Sequence, residues 1–212
     1  MSQDLTPDSR SVAFFDFDGT LTTGDTLMPF LQFVVGKPIY YAKLFLLSPV
    51  FVVYFAKLLR NDVAKQIVLK KYLSGYHVDD LFKLGERFSE EVIPTMLRPE
   101  GMERLSWHQE QGHDCVLVSA SLDVYLKYWA KENGFQSALT TCLSSKEGVV
   151  SGNLLGNNCY GDEKVVRVSE WIRCRSTRIT YYYGDAQADI PMAKKSDYGF
   201  IWNGKVFLRV DK

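Results

Sequence analysis

The chain has 212 residues, and its 46% hydrophobic content is enough for one large domain or for a core with a smaller insertion. Its 25 basic and 25 acidic residues balance, so the composition gives no reason to expect nucleic acid, whose binding proteins are usually basic. Because the polar, acidic start lacks the pattern of a signal peptide and the four cysteines form no CxxC pair, we expect reduced thiols and a cytoplasmic protein.

The first predicted element is an apolar strand that ends in two aspartates. Residues 12–15 are typical of a buried strand, and Gly19 marks the turn after it. Asp16 and Asp18 therefore lie at the carboxyl end of a strand, where open α/β sheets place their ligands, and they point to the same face. Two such carboxylates repel each other unless a cation lies between them or one holds a proton. An all-oxygen site of this kind favours Mg²⁺ as the cofactor.

The segment after this strand is too long for a simple crossover. A strand–helix–strand unit needs about 30 residues, whereas roughly 100 separate Asp16 from Ser119. The surplus is predicted to be almost entirely helical. Helices are expected at residues 26–35, 39–47, 61–73, 78–92 and 100–111, with a new start at Ser48-Pro49. We predict a core formed by residues 1–22 and 98–212 and an all-helical cap at residues 23–97, placed to close over a ligand and exclude water.

The rest of the chain alternates strands with helices, which predicts an α/β fold with a Rossmann-like, mainly parallel sheet. The expected elements are a strand at 115–118, a helix at 121–134, a hairpin at 139–155, a helix at 163–172, a strand at 178–183 and a hairpin at 199–210. The three histidines, His77, His108 and His113, are flanked by polar residues, so we expect all of them at the surface.

Three further residue groups would lie beside the aspartate pair if the strands are neighbours. Ser119 ends the second strand, Lys164 opens a helix, and Asp185 ends the third strand with Asp189 one helical turn later. Each has an ordinary alternative. Ser119 and Asp185 can cap helices, and Asp189 can be a surface carboxylate. Lys164 can be solvated, although a cation in the first turn opposes the helix dipole.

In chain order, these residues resemble a known motif set. Asp-x-Asp-Gly-Thr follows the first strand, Ser follows the second, Lys opens a helix, and Gly-Asp-x-x-x-Asp follows a later strand. The set is similar to that of the haloacid dehalogenase-like phosphohydrolases. It is closest to the phosphoserine phosphatase-like branch, subfamily IB, which has a helical cap between the first two motifs. The resemblance extends over residues 12–199.

The resemblance implies a Mg²⁺-dependent phosphomonoester phosphatase that works through an aspartyl-phosphate. Asp16 would be the nucleophile. Asp18 would protonate the leaving oxygen and then activate water. The metal would be held by the Asp16 carboxylate, the Asp18 backbone carbonyl and Asp185, and Asp189 would orient this metal shell.

The resemblance also implies how the substrate is held. Ser119 and Lys164 would bind the phosphoryl oxygens, assisted by the backbone N–H groups of Phe17 and Ala120. Asp25 stands where phosphoserine phosphatase has a glutamate that contacts the substrate amino group, so it is a candidate substrate contact. Capping of the following helix is the alternative role for Asp25.

An apolar run at residues 39–59 carries six aromatic residues and is interrupted by Lys43 and Lys57. The 13 uncharged residues between these lysines are fewer than the roughly 20 of a membrane span. A buried helical hairpin in the cap is the ordinary interpretation. The alternative is an interfacial surface or an apolar substrate groove, with the lysines reaching towards lipid head groups.

These observations lead to one function hypothesis with alternatives. The expected partner is a phosphorylated small molecule, a phosphomonoester resembling phosphoserine or histidinol phosphate. The first alternative is a lipid phosphate such as phosphatidylglycerophosphate, with peripheral membrane contact through the cap. Phosphotransfer to a sugar or alcohol and a non-enzymatic binding module are the others. The oligomeric state is left open.

Overall fold

The computed structural model describes residues 11–211 and has a seven-stranded sheet at its centre, in the order β4-β3-β2-β1-β5-β6-β7. The strands are β1 (Val12–Phe15), β2 (Asp114–Leu122), β3 (Ser137–Lys146), β4 (Val149–Leu155), β5 (Thr180–Gly184), β6 (Tyr198–Trp202) and β7 (Phe207–Arg209). Strands β3, β2, β1, β5 and β6 run parallel, and the β3–β4 and β6–β7 hairpins are antiparallel. The α/β fold with a Rossmann-like, mainly parallel sheet is therefore confirmed. The polar start, which lacks the pattern of a signal peptide, lies outside the described residues.

The helices follow the predicted pattern with small shifts at their ends. They are α1 (Leu27–Val35), α2 (Lys37–Leu46), α3 (Ser48–Phe55), α4 (Asn61–Leu73), α5 (Val78–Glu91), α6 (Pro99–Glu110), α7 (Asp123–Glu132), α8 (Asp162–Arg173) and α9 (Ile190–Lys195). One boundary differs in a way that matters for the site. β2 continues to Leu122, which pairs with Thr141, so α7 begins at Asp123 and not at Ser121. Ser119 consequently lies within a strand and does not cap α7.

β1 is packed on both faces, which holds the aspartate-bearing end of the strand in place. Phe14 lies on one face, where its ring meets Trp171 edge-on at 5.7 Å. Phe15 lies on the opposite face, where its ring stacks on Tyr183 at 4.9 Å. Both side chains are fully buried, as expected for a central strand of a parallel sheet. Asp16 directly follows this rigid strand.

One histidine prediction is wrong, because His108 is fully buried. It belongs to the inward face of α6, together with Gly101 and Leu105. Residues three or four apart share a helix face, so the polar neighbours of His108 in the sequence point elsewhere. The His108 ring nitrogens lie 2.8 Å from His113 Nδ1 and 3.0 Å from the Tyr183 hydroxyl.

The segment that enters helices α1 to α5 lies beside the segment that leaves them. Thr22 forms an antiparallel bridge with Leu97, and the Thr23 N–H donates to the Met96 carbonyl at 2.8 Å. Helices α1 to α5 lie between these two crossings. The division into a core at residues 1–22 and 98–212 and a cap at 23–97 stays a prediction, and its proposed boundaries coincide with this bridge.

Two helices of the predicted cap contact elements of the predicted core: α4 lies next to β4, and α5 lies next to α7. The Gly75 N–H, just after α4, donates to the Val150 carbonyl of β4 at 2.9 Å. In α5, Gly85 comes so close to α7 that an added Cβ would lie 2.1 Å from the Val124 carbonyl oxygen. Glycine at this position thus lets the two helices approach closely.

The interpretation of residues 39–59 as a buried hairpin is wrong. Neither α2 nor α3 contains a buried residue, and Phe45, Phe55 and Leu58 are each more than 70% exposed, at 79%, 76% and 79%. The inner sides of the two helices pack against the core only through partly buried residues such as Tyr40 and Phe51. No single helix in the part of the chain that the structure describes is long and apolar enough to cross a membrane; α2 and α3 together meet that test of length and composition, but they are bent by 57°.

Candidate active site

A cavity of about 840 Å³ opens at the carboxyl ends of β1, β2 and β5. On the sheet side it is lined by Asp16, Asp18, Gly19, Ser119, Ala120, Ser121, Lys164, Asp185 and Asp189. On the helical side it is lined by Leu27, Met28, Phe51, Tyr54, Phe55, Lys65 and Val68, with Asp25 in the loop before α1. All site residues predicted from the sequence except Phe17 thus line one cavity.

Asp16 lies at the base of the cavity and is held by a lysine. Its side chain is buried, and Lys164 Nζ donates to its Oδ1 at 2.7 Å. Burial raises the pKa of Asp16 to about 8, and the Lys164 ammonium opposes that rise. A second cation beside Asp16 would favour the ionised carboxylate further, which is the form that a nucleophile requires.

Lys164 is buried, so the solvated-lysine alternative is wrong. Its ammonium donates to Asp189 at 2.6 Å and to the Tyr182 hydroxyl at 3.3 Å, in addition to Asp16. Although burial favours the neutral amine, Asp16 and the other acidic neighbours raise the pKa of Lys164 well above its usual value. Lys164 is therefore a permanent positive charge at the base of the cavity.

Asp189 is also buried, so the surface-carboxylate alternative is wrong. Its Oδ1 accepts Lys164 and the Tyr182 hydroxyl, the latter at 2.6 Å. Its Oδ2 accepts the backbone N–H groups of Asp185 at 3.2 Å and Ala186 at 3.1 Å. Both oxygens are thus engaged in positioning Lys164 and the turn that carries Asp185. Tyr182 was missed, because its place among three tyrosines of β5 suggests only core packing.

Asp18 has a different environment from Asp16. Its Oδ1 accepts the backbone N–H and the hydroxyl of Thr26 at 2.8 and 2.6 Å, and the Ser121 hydroxyl donates to its Oδ2. Burial raises the pKa of Asp18 to about 6, with a further contribution from the charge of Asp25, while the hydrogen bonds from Ser121 and Thr26 lower it. A carboxyl group with this pKa can carry a proton near neutral pH.

The two hydroxyl groups that orient Asp18 were not among the predicted residues. The sequence could have indicated Ser121, because it lies two residues after Ser119 and therefore on the same face of β2. The sequence could not have indicated Thr26, since its contact with Asp18 depends on the fold of the turn before α1.

The carboxylates fit a divalent cation. Asp16, Asp185 and Asp189 each place an oxygen within 4.8 Å of the others. Gly19 permits this arrangement, since a Cβ there would lie 2.0 Å from Asp185 Oδ2 and its φ is +76°. A set of carboxylate oxygens suits a hard cation such as Mg²⁺. The assignment of Asp16, Asp18, Asp185 and Asp189 to the metal stays a prediction.

The residues predicted to contact the phosphate or the rest of the substrate differ in their positions relative to the cavity. Ser119 is buried, and its Oγ accepts the Ser121 N–H at 3.0 Å. The Phe17 ring packs against Trp129 at 4.7 Å, away from the cavity, so that only its backbone is left to take part. Asp25 lines the cavity and its Oδ1 accepts the Met28 N–H at 3.1 Å, which is the helix-capping alternative. Substrate contact by these residues stays a prediction.

Comparison with known proteins addresses the family to which this chain belongs. The sequence profile described as "haloacid dehalogenase-like hydrolase" matches residues 13–194. Protein CicA of Caulobacter vibrioides is 32% identical over 184 residues, which cover 86% of this chain and 82% of that protein. Phosphoserine phosphatase SerB1 of Mycobacterium tuberculosis is 26% identical over 194 residues, which cover 87% of this chain and 62% of SerB1.

Solved structures share the fold. A Bordetella pertussis Tohama I protein of unknown function has a TM-score of 0.78 at 23% identity, and the match covers 91% of this chain and 89% of the other. A substrate-bound phosphoserine phosphatase has a TM-score of 0.65 at 17% identity, with 92% and 86% covered. Since the family profile matches most of the chain, this protein belongs to the haloacid dehalogenase-like hydrolases.

Proposed function

We propose that this enzyme is a Mg²⁺-dependent phosphomonoester phosphatase that works through an aspartyl-phosphate on Asp16. The observation that carries the proposal is the pairing of two aspartates with different surroundings. Asp16 is held by Lys164 at 2.7 Å, whereas Asp18 is held by the neutral donors Thr26 and Ser121. This difference supports the assignment of the attack on phosphorus to Asp16 and of the proton transfer to Asp18.

In the proposed reaction, an Asp16 oxygen forms a bond to phosphorus while the bond to the substrate oxygen breaks. Asp18 gives its proton to that leaving oxygen. Asp18 then takes a proton from water, and the water oxygen attacks phosphorus and releases Asp16 with inorganic phosphate. Ser119 and Lys164 hold the phosphoryl oxygens throughout.

The proposed metal site consists of Asp16, the Asp18 carbonyl and Asp185. When bound there, Mg²⁺ supplies positive charge that neutralises Asp16 and the phosphoryl oxygens. Asp189 positions this site from behind, because it accepts the N–H groups of Asp185 and Ala186.

The test is Asp16→Asn, which keeps the size of the side chain but removes the nucleophilic charge. We expect phosphate release from 4-nitrophenyl phosphate with Mg²⁺ to fall by at least about 10³-fold. Asp79→Asn is the matched control, because Asp79 is exposed on α5, and it should retain wild-type activity. Substantial turnover by Asp16→Asn would exclude the covalent mechanism.

The leading substrate candidate is a small phosphomonoester resembling phosphoserine or histidinol phosphate. Its support is the similarity to phosphoserine phosphatase SerB1 over 87% of this chain. Asp25 beside the cavity suits a cationic group on such a substrate, since its Oδ2 is left for a ligand while Oδ1 caps α1.

A lipid phosphate is the second candidate, and a specific observation favours it. The cavity wall formed by Phe51 and Phe55 belongs to α3, whose outer residues are exposed and apolar. Apolar chains attached to a phosphate would therefore have a continuous apolar path from the cavity to the surface.

A substrate screen decides between the candidates and their alternatives. It would include phosphoserine, histidinol phosphate, a sugar phosphate and a lipid phosphate in detergent micelles, each with Mg²⁺ and with chelator. Clear preference for the lipid would reject the small-substrate candidate, and the converse would reject the lipid. Transfer to an acceptor would appear as acceptor-dependent product with little free phosphate.

A cytoplasmic location is also proposed. All four cysteines are free thiols in the structure, and burial raises the pKa of Cys115 to about 12, which keeps it unreactive. Free thiols suit a reducing compartment. Fractionation of cells that express the tagged protein would test the location.

A further inference from the structure

Lys65 is a charged side chain that reaches from α4 to the end of β2. Its Nζ donates to the Ala120 carbonyl at 2.5 Å and to Asn158 Oδ1 at 3.0 Å. It lines the same cavity as Asp16 and Asp18. Nothing in the sequence distinguishes it from the other lysines of α4.

Lys65 differs from the other cationic residues of the cavity in its partners. Lys164 forms ion pairs with Asp16 and Asp189. Arg98 donates to the Gly19 carbonyl and lies over the Trp202 ring at 4.4 Å. Among residues 11–211, Lys65 has no carboxylate within ion-pair distance, and both of its hydrogen-bond acceptors are neutral.

The position of Lys65 is well defined by its neighbours. Asn158 Oδ1 also accepts the Thr141 hydroxyl at 2.9 Å, and Asn158 Nδ2 donates to Asn61 Oδ1 at 3.2 Å. An ammonium group has three N–H donors, of which these contacts use two. The third remains for a ligand in the cavity that Lys65 lines.

Burial of the charged Lys65 ammonium costs desolvation free energy, which no anion of the described part of the chain offsets by ion-pair contact. Burial lowers the pKa of Lys65 to about 8, although Asp18 and Asp25 act in the opposite direction. A bound anion would offset the cost of desolvating the ammonium. The phosphoryl group at Asp16 already has Lys164, so an additional cation next to Ala120 suits a different anionic group.

We propose that Lys65 binds a second anionic group of the substrate, a carboxylate or a phosphodiester, next to the phosphoryl group that is cleaved at Asp16. The inference rests on the proposed phosphatase function and narrows its substrate class. It applies to small and lipid substrates alike, because either can carry a second anion. Lys65 is a specificity residue under this proposal, and Asp16 and Asp18 carry the chemistry.

Two pairs of probes test the proposal. Phenyl phosphate and 4-carboxyphenyl phosphate differ by a carboxylate. Glycerol 3-phosphate and glycerophosphoglycerol phosphate differ by a phosphodiester. We expect the wild-type enzyme to prefer the doubly anionic member of at least one pair by about tenfold or more in kcat/KM, with the difference mainly in KM. The pair that shows the preference identifies the anion.

The variant Lys65→Gln separates charge from hydrogen bonding, since glutamine can still donate to Ala120. We expect it to abolish the preference, whereas Lys65→Arg, which keeps the charge, should retain most of it. Lys71→Gln is the matched control on the exposed side of α4 and should behave as the wild type.

The outcomes are distinguishable. If the wild type hydrolyses no probe, the phosphatase proposal fails and this inference fails with it. If it hydrolyses both members of each pair equally well, or if Lys65→Gln keeps the preference, only the role of Lys65 is overturned. Should Lys65→Gln not fold, the wild type alone decides, because a preference due to a charge contact falls as salt is raised and one due to shape does not.

Discussion

Asp16 and Asp18 are separated by one residue, yet their partners differ. Lys164 donates to Asp16, whereas Thr26 and Ser121 donate to Asp18. Their spacing predicts that both reach the same cavity, because alternate residues of an extended chain share a face. It does not predict which of them receives the ammonium, since Lys164 is 148 positions away from Asp16.

Histidine gives the clearest pH prediction at the scale of single residues. Burial, with smaller effects of His113 and Arg104, lowers the pKa of His108 to about 3 in the folded protein. The unfolded chain binds the proton below about pH 6.5, so the folded state binds fewer protons between these values. The contribution of neutral His108 to the free energy of unfolding is therefore complete above about pH 6.5 and is lost as the pH falls towards 3.

The measurement is the free energy of unfolding by urea at pH 7 and pH 5. We expect the His108 contribution to fall by about 2 kcal/mol between these pH values. His108→Phe should remove that part of the pH dependence, and His77→Gln, at an exposed position, should preserve it. Equal pH dependence in wild type and His108→Phe would contradict the prediction.

At the scale of elements, α2 and α3 are the unusual part of the molecule. Their apolar composition predicts burial, but the two short helices lie at the outside and touch the core through one side only. Composition reports how apolar a helix is, whereas exposure depends on what the rest of the chain supplies to cover it. The described chain provides no second layer over these helices.

We expect the exposed side of α2 and α3 to bind anionic lipid surfaces if the lipid candidate is right. Phe45 and Phe55 would enter the bilayer interface, and the exposed Lys57, together with the half-buried Lys43, would face the head groups. The double change Phe45→Ser and Phe55→Ser should weaken sedimentation with phosphatidylglycerol vesicles by about tenfold or more, since each buried Phe contributes about 1.5–3 kcal/mol.

Trp107→Ser is the matched control, because Trp107 is an exposed aromatic residue on α6, far along the chain from these helices. Its binding should equal that of the wild type. Vesicles of phosphatidylcholine alone should bind the wild-type protein less, since the contribution of the lysines is then absent. Failure of the wild-type protein to sediment with either kind of vesicle would count against a lipid phosphate as the substrate.

At the scale of the whole molecule, the site exists because separate parts of the chain meet above the sheet. Asp16 follows β1, Asp185 follows β5, and Lys164 comes from α8. Asp189 repels Asp185 in the folded state, and this repulsion contributes, after burial, to the raised pKa of Asp185, whereas the Lys164 ammonium lowers it. A cation that binds only the folded chain should therefore stabilise the fold as a whole.

The prediction is a rise in the melting temperature on addition of Mg²⁺. At a concentration about 100 times its dissociation constant, the gain is about 2.7 kcal/mol. Asp185→Asn should lose most of that gain, although its metal-free form can be as stable as the wild type, because repulsion with Asp189 is relieved.

Asp80→Asn, at an exposed position of α5, is the control for this measurement and should keep the full response to Mg²⁺. A wild-type protein whose melting temperature does not respond to Mg²⁺ would argue against the metal site. So would an undiminished response in Asp185→Asn.

The sequence alone determined the features that depend on local pattern. The apolar run before Asp16, the glycine after it and the alternation of strands and helices predict the sheet and the strand end that carries the site. The predicted α/β sheet is confirmed, because periodicity and turn residues act over a few neighbouring positions.

The features that depend on distant partners are known from the folded structure and not from the sequence. The burial of His108, the link from Lys65 to Ala120 and the exposure of α2 and α3 each arise where segments far apart in the chain meet. A lysine on a helix has the same local pattern whether it faces water or a cavity. Its role is therefore set by the residues that the fold places around it.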